Sequence, residues 1–230
     1  MEMEEVRMNA SHEAGRTTEY PKIQTVFLRD PVTKYRTLLE GQYALPEFEY
    51  LADCRWEFTE KVDGTNVRVI VDAEGRAEFR GKTDAAQLPA RLVEWLRLEF
   101  DDDVRREQLH AVLPDGGVLY GEGYGAGIQK GGGNYISDGQ AFVLFDVRVG
   151  YWWLRRLGVD DVAYKLGLLT VPVIGYGPLE LMVRYCRLGF ESTWGGFPAE
   201  GIVARPMVEF CTRAGHRVIT KLKCKDFVAP

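Results

Sequence analysis

Residues 56–66 constrain this chain more than any other stretch, because an apolar alternation runs directly into a lysine, an aspartate and a glycine. From residue 56 to residue 59, aromatic and polar side chains alternate, which is the period-two pattern of a β-strand. Lys61 and Asp63 therefore share one face, and Gly64 permits a tight turn into a second apolar strand at residues 67–71. The pattern predicts a β-hairpin with a lysine and an aspartate side by side at its rim, which suits a nucleophilic lysine.

Helix and strand patterns are interspersed along the rest of the chain. Apolar residues at helical spacing predict helices at residues 90–100, 104–113, 159–166 and 179–186. Alternating or apolar runs predict strands at residues 77–82, 118–123, 141–147, 170–174, 200–204 and 218–225. Because hairpin signals dominate and strict βαβ order is missing, we expect an α+β fold of antiparallel sheets with packed helices. Residues 1–19 lack periodicity and are predicted to be a mobile tail, which leaves one domain at residues 20–230.

Composition and charge argue against several classes of protein. The 230 residues are 46% hydrophobic and 27% charged, as in ordinary globular proteins, and no apolar run is long enough to cross a membrane. Three histidines form no ligand pattern, which makes a histidine metal site or Ser-His-Asp catalysis a poor candidate. Four scattered cysteines without metal-ligand spacing predict reduced thiols in a cytoplasmic protein. The net charge of −5 argues against a surface covered in phosphate contacts.

Five short motifs follow one another along the chain. They are Lys61-x-Asp63-Gly64, Tyr120-Gly121-Glu122-Gly123, Phe142-x-x-Phe145-Asp146, Glu200-Gly201-Ile202-Val203 and Lys221-Leu222-Lys223. In this order they resemble motifs I, III, IIIa, IV and V of the covalent nucleotidyltransferases, which are the DNA ligases, RNA ligases and mRNA capping enzymes. The context Glu60-Lys61-x-x-Gly64-Thr65-Asn66, with Tyr20-Pro21-Lys22-Ile23 upstream, is similar to that of the nick-sealing, phage RNA ligase 2-like RNA ligases.

The resemblance implies a fold and an activity. The fold is an ATP-grasp-like nucleotidyltransferase domain of antiparallel sheets with flanking helices and a ligand cleft between the sheets, here without a C-terminal domain. The activity is ATP-dependent joining of 3′-OH and 5′-phosphate RNA ends, as in RNA repair, through AMP on Lys61 and then an adenylated 5′ end. ATP and Mg²⁺ or Mn²⁺ are the implied cofactors. RNA is the implied partner, with a nicked duplex or RNA/DNA hybrid ends as candidate substrates.

Three other functions stay open beside RNA ligation. A DNA ligase shares the motif order, and Asp63 occupies a position where some members of the resembled branch have histidine. A GTP-dependent capping-type transferase would use the same covalent lysine. A non-catalytic module that binds a nucleotide or a nucleic-acid end is less compatible with the intact Lys61, Glu200, Lys221 and Lys223.

The charged residues of the motifs suit adenylyl transfer. A lysine attacks phosphorus only in its neutral form, which burial and neighbouring cations favour. The candidate neighbouring cations are Arg80, Lys82, Lys221 and Lys223. Lys221 and Lys223 lie two apart on one predicted strand face, so both can point at the α-phosphate. By resemblance, Asp63 and Glu200 are assigned to magnesium, mostly through water, because magnesium sheds its water reluctantly.

The remaining motif residues are assigned to nucleotide and nucleic acid by the same resemblance. Glu122 is expected to bind the ribose hydroxyls or support the metal, and Phe145 to stack on the base. Glu60 is expected to meet the adenine edge largely through its backbone. Arg80 and Lys82 are assigned to the ribose or the incoming phosphate, and Asn66 to the nucleic-acid end.

Each assignment has a structural alternative. Lys61 by itself reads as a surface lysine, Glu122 and Glu200 as acids at strand ends, and Phe145 as a core residue of an apolar strand. The glycine-rich segment at residues 123–133 lacks the lysine-hydroxyl ending of a Walker phosphate loop. Mobility or close approach of a ligand explains its glycines as well as phosphate binding does.

Overall fold

The structure is a computed structural model that describes residues 18–227. The predicted tail therefore lies outside the described residues, except for Thr18 and Glu19. Arg68, which is fully buried, donates through Nη1 to Thr18 Oγ1 at 2.7 Å. The backbone N–H of Asp84 donates to Glu19 Oε1 at 3.1 Å. None of the helices in this part of the chain is long and apolar enough to span a lipid bilayer.

Strands and helices alternate irregularly along residues 18–227. The strands are β1 (Gln24–Thr25), β2 (Phe27–Arg29), β3 (Leu38–Tyr43), β4 (Trp56–Glu60), β5 (Thr65–Val71), β6 (Ala77–Arg80), β7 (Gly117–Gly125), β8 (Gln140–Val149), β9 (Trp152–Trp153), β10 (Val173–Gly177), β11 (Gly201–Pro206) and β12 (Thr220–Lys223). The helices are α1 (Pro46–Tyr50), α2 (Ala90–Phe100), α3 (Asp103–Val112), α4 (Gly132–Tyr135), α5 (Arg156–Leu166) and α6 (Leu179–Leu188), followed by a 3₁₀ helix at Cys224–Phe227.

The chain divides into two compact units, and the first contains residues 18–20, 64–124 and 138–170. Its sheet has the order β6-β5-β7-β8-β9, and β5 pairs antiparallel with both β6 and β7. The apolar stripe of α2 packs on this sheet, because a Cβ at Gly123 would lie 2.3 Å from Leu92 Cδ2 and 3.1 Å from Val67 Cγ2. Burying each such aliphatic side chain contributes about 1.5–3 kcal/mol. Asn66 and Arg68 of β5 lie on the opposite face, because alternate residues of a strand point to opposite sides of a sheet.

The second unit contains residues 21–63, 125–137 and 171–227. Its main sheet has the order β1-β12-β11-β4-β10; β1 pairs parallel with β12, and the other pairs are antiparallel. Trp56 and Phe58 of β4 are fully buried in a cluster with Leu179 and Met182 of α6. Apolar residues three and four apart along α6 account for that buried helix face. This core fixes β4 and β11, the two strands that lead to Lys61 and away from Glu200.

The predicted α+β class and antiparallel sheets are confirmed, but the predicted hairpin is wrong. β4 pairs with β10 and β11, whereas β5 pairs with β6 and β7, so residues 56–71 cross from one sheet to another. Gly64 is required there by close approach to another strand rather than by a tight turn, since a Cβ would lie 2.2 Å from the carbonyl oxygen of Gly123.

All six strands predicted at residues 77–225 have bounds in the structure that differ by one to three residues at one or both ends. The strand predicted at residues 77–82 ends at Arg80, so Lys82 lies beyond it. The strand predicted at residues 170–174 is Val173–Gly177, because Pro172 has no N–H to enter the ladder. The strand predicted at residues 218–225 is Thr220–Lys223, and the 3₁₀ helix that follows takes Lys225 off the face of Lys221 and Lys223. The four predicted helices are confirmed, with ends that shift by up to three residues.

Candidate active site

The junction of β4 and β11 brings Lys61 and Glu200 together in the second unit. Glu60 lies opposite Ile202, and the N–H of Lys61 donates to the carbonyl oxygen of Gly201 at 2.9 Å. Lys61 Nζ donates to Glu200 Oε2 at 2.5 Å, and the two side chains are 20% and 10% exposed. Gly201 permits this junction, because a Cβ there would lie 2.1 Å from the carbonyl oxygen of Leu222 on β12. The sequence-predicted nucleophile is therefore a half-buried lysine rather than a solvated one.

A second lysine binds the other oxygen of the same carboxylate. Lys223 Nζ lies 2.6 Å from Glu200 Oε1, and β12 pairs with β11 so that Lys223 is opposite Gly201. Lys221 lies on the same half-exposed face of β12, since Thr220 and Leu222 between them are buried. The predicted common face of Lys221 and Lys223 is confirmed. Glu200 thus holds two ammonium groups at one carboxylate.

Asp63 is the second carboxylate near this lysine. Burial raises the pKa of the Asp63 carboxyl above its usual range, and the Glu200 carboxylate raises that pKa further, while Lys61 and Lys223 act in the opposite direction. The backbone N–H of Asp63 donates to Tyr135 Oη at 3.1 Å. Two carboxylates that repel each other at the edge of a cluster of lysines are a fitting place for a cation or for metal-bound water.

The set of side chains that could bind a metal ion is small, and this limits the kind of metal site that it can form. Within residues 18–227 no group of three or more His, Cys, Asp or Glu side chains is arranged to hold a metal ion. Magnesium and manganese sites on nucleotides commonly use one or two carboxylates, with water and phosphate oxygens as the other ligands. Asp63 and Glu200 fit a divalent cation of that kind, and they do not fit a site built from protein ligands alone.

Glu60 has a buried set of partners that sequence reasoning missed. Its side chain is 1% exposed, and its carboxylate accepts from Ser192 Oγ at 2.5 Å, Thr193 Oγ1 at 2.7 Å and the Thr193 N–H at 2.9 Å. Its own N–H donates to the carbonyl oxygen of Pro172 at 2.9 Å. An acid inside a buried strand must find such donors, but no pattern in the sequence identifies them as Ser192 and Thr193. The Glu60 carboxylate therefore ties the end of β4, directly before Lys61, to the segment that leads into Glu200.

Asn66 and Glu122 face each other on β5 and β7 in the first unit. They are directly opposite in the antiparallel register, so their side chains lie on one face of the sheet. The Asn66 Oδ1 atom is buried and has no hydrogen-bond partner among the described residues. A buried side-chain carbonyl without a donor is costly, so this atom is suited to a hydroxyl or amino group of a ligand.

Phe145, Arg80 and Lys82 also belong to the first unit. The Phe145 ring is half-buried and lies edge-on to Tyr20, with ring centroids 5.1 Å apart, so it is neither a fully buried core residue nor a free surface. Arg80 forms an ion pair with Glu78 at 2.6 Å, and Lys82 is exposed. The second unit thus brings Lys61, Asp63, Glu200 and Lys223 together, and the first unit brings Asn66 and Glu122 together.

Replacing Gly64 with alanine is expected to lower the free energy of unfolding by about 1–3 kcal/mol. The added Cβ would lie 2.2 Å from a backbone oxygen of Gly123 and 2.7 Å from Glu122 Cγ, and a paired strand cannot move aside. Urea denaturation followed by circular dichroism measures the change. Gly133→Ala is the matched control, because a Cβ at Gly133 meets no atom within 4 Å. Equal stability of the two variants would contradict the close approach.

The chain matches a model of a protein family. The family model described as RNA ligase matches residues 55–223. That range contains Lys61, Glu122, Glu200 and Lys223, and it covers most of the chain. No curated protein sequence matches the chain.

Solved structures of an RNA ligase from Naegleria gruberi are similar to this chain. A variant of that enzyme with ATP and manganese has a TM-score of 0.65 and 17% identity, over 90% of this chain and 57% of the other. A variant with AMP and manganese gives 0.61 and 17%, over 89% and 57%. The enzyme with pyrophosphate gives 0.60 and 19%, over 89% and 57%. At these identities the likeness shows the fold, and this chain spans 57% of the length of each of these relatives.

Proposed function

We propose, from the premise that this chain belongs to the RNA ligase family, that it is an ATP-dependent RNA ligase acting through a lysyl-AMP intermediate. The observation that carries the proposal is Glu200, whose two carboxylate oxygens bind Lys61 and Lys223. These residues come from three separate motifs and meet at one point. The finer assignment to the phage RNA ligase 2-like branch stays a prediction.

In the proposed first step, the Lys61 amine attacks the α-phosphorus of ATP. A nitrogen–phosphorus bond forms, the bond between the α-phosphorus and the bridging oxygen breaks, and pyrophosphate leaves. Lys221 and Lys223 share a face of β12 and are proposed to neutralise the charge on the α-phosphate. As Lys223 turns to phosphate, the Glu200 oxygen that held it becomes available to the proposed divalent cation.

Asp63 and Glu200 are proposed to hold a divalent cation, magnesium or manganese, chiefly through water. The bound cation would withdraw charge from the phosphate oxygens. The manganese in the Naegleria gruberi structures supports a divalent cofactor for a protein of this fold.

The first unit is proposed to contribute nucleotide and RNA contacts. Glu122 is proposed to bind the ribose hydroxyls or to support the metal. Asn66, directly opposite Glu122 on the neighbouring strand, has a buried Oδ1 atom without a hydrogen-bond partner among the described residues, and this supports a ligand contact at Glu122. Phe145 keeps its proposed role of stacking on the adenine. Arg80 and Lys82 remain candidates for the ribose or the 5′-phosphate. Glu60 can meet adenine only through backbone, since its carboxylate is occupied by Ser192 and Thr193.

The later steps follow the family chemistry. AMP passes from Lys61 to a 5′-phosphate end, and a 3′-hydroxyl then attacks that end, releases AMP and forms the phosphodiester. RNA is the proposed partner, with a nicked duplex or RNA/DNA hybrid ends as the finer possibilities. We also propose that residues 20–230 act as one nucleotidyltransferase domain. Free thiols at all four cysteines support the cytoplasmic location that we propose.

Covalent labelling tests the proposal. The purified protein is incubated with magnesium or manganese and α-labelled ATP or GTP, and is then resolved on a denaturing gel. Label from ATP and not from GTP is expected. Label from GTP alone would favour capping chemistry, and label from neither would favour a binding module.

Sealing assays test the choice of nucleic acid. Nicked duplexes are compared that differ only in having ribonucleotides or deoxyribonucleotides at the 3′-OH side. An RNA ligase is expected to seal the ribonucleotide end faster. Equal sealing of an all-DNA nick would contradict the RNA assignment and favour a DNA ligase.

A further inference from the structure

Tyr135 bonds directly to the segment that carries the nucleophile. Its hydroxyl oxygen accepts the backbone N–H of Asp63 at 3.1 Å, two residues after Lys61. Tyr135 ends the helical turn α4, at the end of the glycine-rich segment. Gly131 in that segment is also close to Asp63, because a Cβ there would lie 3.9 Å from Asp63 Oδ2. The glycine-rich segment therefore runs beside the segment from Lys61 to Asp63. Tyr135 joins the two through the hydrogen bond that it accepts from the Asp63 N–H.

The same tyrosine ring packs on the segment that leads into Glu200. Its centroid lies 4.8 Å from that of Phe197 and 6.1 Å from that of Trp194, both in edge-on geometry. That segment is fixed at its other side by the bonds from Ser192 and Thr193 to Glu60. Tyr135 thus contacts two pieces of chain, one beginning at the nucleophile and one ending at its carboxylate partner.

The surroundings of Tyr135 keep its hydroxyl neutral. Burial raises the pKa of Tyr135 to about 12, and the carboxylates of Glu60, Glu200 and Asp63 raise it, while the hydrogen bond from the Asp63 N–H acts in the opposite direction. The hydroxyl is therefore an uncharged acceptor next to a cluster of acids and lysines. It can hold the backbone of Asp63 without adding a charge to the site.

We propose that Tyr135 is a positioning residue for the adenylation step, and that its hydroxyl holds the Lys61–Asp63 segment in the orientation from which Nζ attacks. This inference rests on the proposed function. Asp63 and Glu200 are both connected to Tyr135, one by a hydrogen bond and the other through the segment that packs on its ring. Tyr135 contacts neither ATP nor RNA in the proposed role, so its loss should slow the attack by Lys61 rather than weaken substrate binding.

Tyr135→Phe removes one oxygen atom and leaves the ring packing unchanged. The variant is expected to form lysyl-AMP about tenfold more slowly at saturating ATP, with the KM for ATP within about twofold of the unsubstituted protein. Sealing of a strand that already carries a 5′-adenylate needs no attack by Lys61, so it is expected to stay within about twofold. Tyr164→Phe is the matched control, because it removes the same hydroxyl oxygen from a tyrosine that is 87% exposed.

The test combines three measurements on the full chain: single-turnover labelling across ATP concentrations, sealing of a 5′-adenylated strand, and thermal unfolding. Slower labelling with normal sealing and an unfolding midpoint close to that of Tyr164→Phe supports the positioning role. Normal labelling by Tyr135→Phe overturns it. Equal losses in labelling and sealing with a lower unfolding midpoint also overturn it, since they indicate a purely structural residue. If the unsubstituted protein takes no label from ATP, the proposed function fails first and the inference falls with it.

Discussion

Lys61→Arg is expected to abolish covalent labelling by ATP while leaving the fold intact. Arginine keeps a positive charge next to Glu200, which Lys61 contacts at 2.5 Å, so the ion pair can persist. A guanidinium stays protonated at any working pH and cannot act as the nucleophile. We expect labelling to fall by at least about 10³-fold. Denaturing gels with α-labelled ATP measure the loss, and circular dichroism melts verify the fold.

The same variant separates the chemical steps. In the proposed mechanism, Lys61 is the nucleophile of the first step and the leaving group of the second, and the final attack of a 3′-hydroxyl on an adenylated end does not use it covalently. Lys61→Arg is therefore expected to seal a pre-adenylated nick within about tenfold of the unsubstituted protein. Lys61→Ala should seal less well, because it removes one of the two cations on Glu200. Label on Lys61→Arg at the normal level would assign the nucleophile to another lysine, with Lys223 the first to test.

The sequence predicts the proposed catalytic cluster better than it predicts the sheets around it. Lys61, Glu200 and Lys223 were each predicted from short motifs, and the structure brings the three together. The hairpin was predicted wrongly because period-two alternation describes a strand but not its partner. β4 pairs with β11, about 145 residues later in the chain, and nothing within residues 56–71 specifies that pairing.

Polar residues in buried strands explain the other omissions. Glu57 and Thr59 read as the polar side of a half-buried strand, and Glu60 shares the face of Trp56 and Phe58, yet all five residues of β4 are buried. Glu60 tolerates this because Ser192 and Thr193 supply three donors from a distant segment. Tyr135 was missed for a related reason, since its hydrogen bond goes to a backbone N–H that no side-chain pattern reveals. Long-range contacts of this kind are outside the reach of local periodicity.

Glu200→Gln is expected to slow lysyl-AMP formation by about 10²-fold or more and to raise the metal concentration that gives half the maximal rate. Glutamine has nearly the same shape but carries no charge, so Asp63 is left as the only carboxylate of the proposed metal pair. Lys61 and Lys223 also lose their shared anion. Single-turnover labelling across a series of magnesium and manganese concentrations measures both effects. Glu200→Asp keeps the charge on a shorter side chain and is the matched variant, expected to lose less.

The direction of this effect distinguishes two roles for the Glu200 carboxylate. If Glu200 served only to hold Lys61 in the absence of nucleotide, its neutralisation would free the Nζ atom, and labelling would become faster at every metal concentration. If Glu200 supports the cation that neutralises phosphate charge, labelling becomes slower and added metal restores part of the rate. We expect the second result, because burial and then the nearby Glu200 carboxylate raise the pKa of Asp63, and a divalent cation would relieve the repulsion between the two carboxylates. Faster labelling by Glu200→Gln would remove Glu200 from the proposed metal pair.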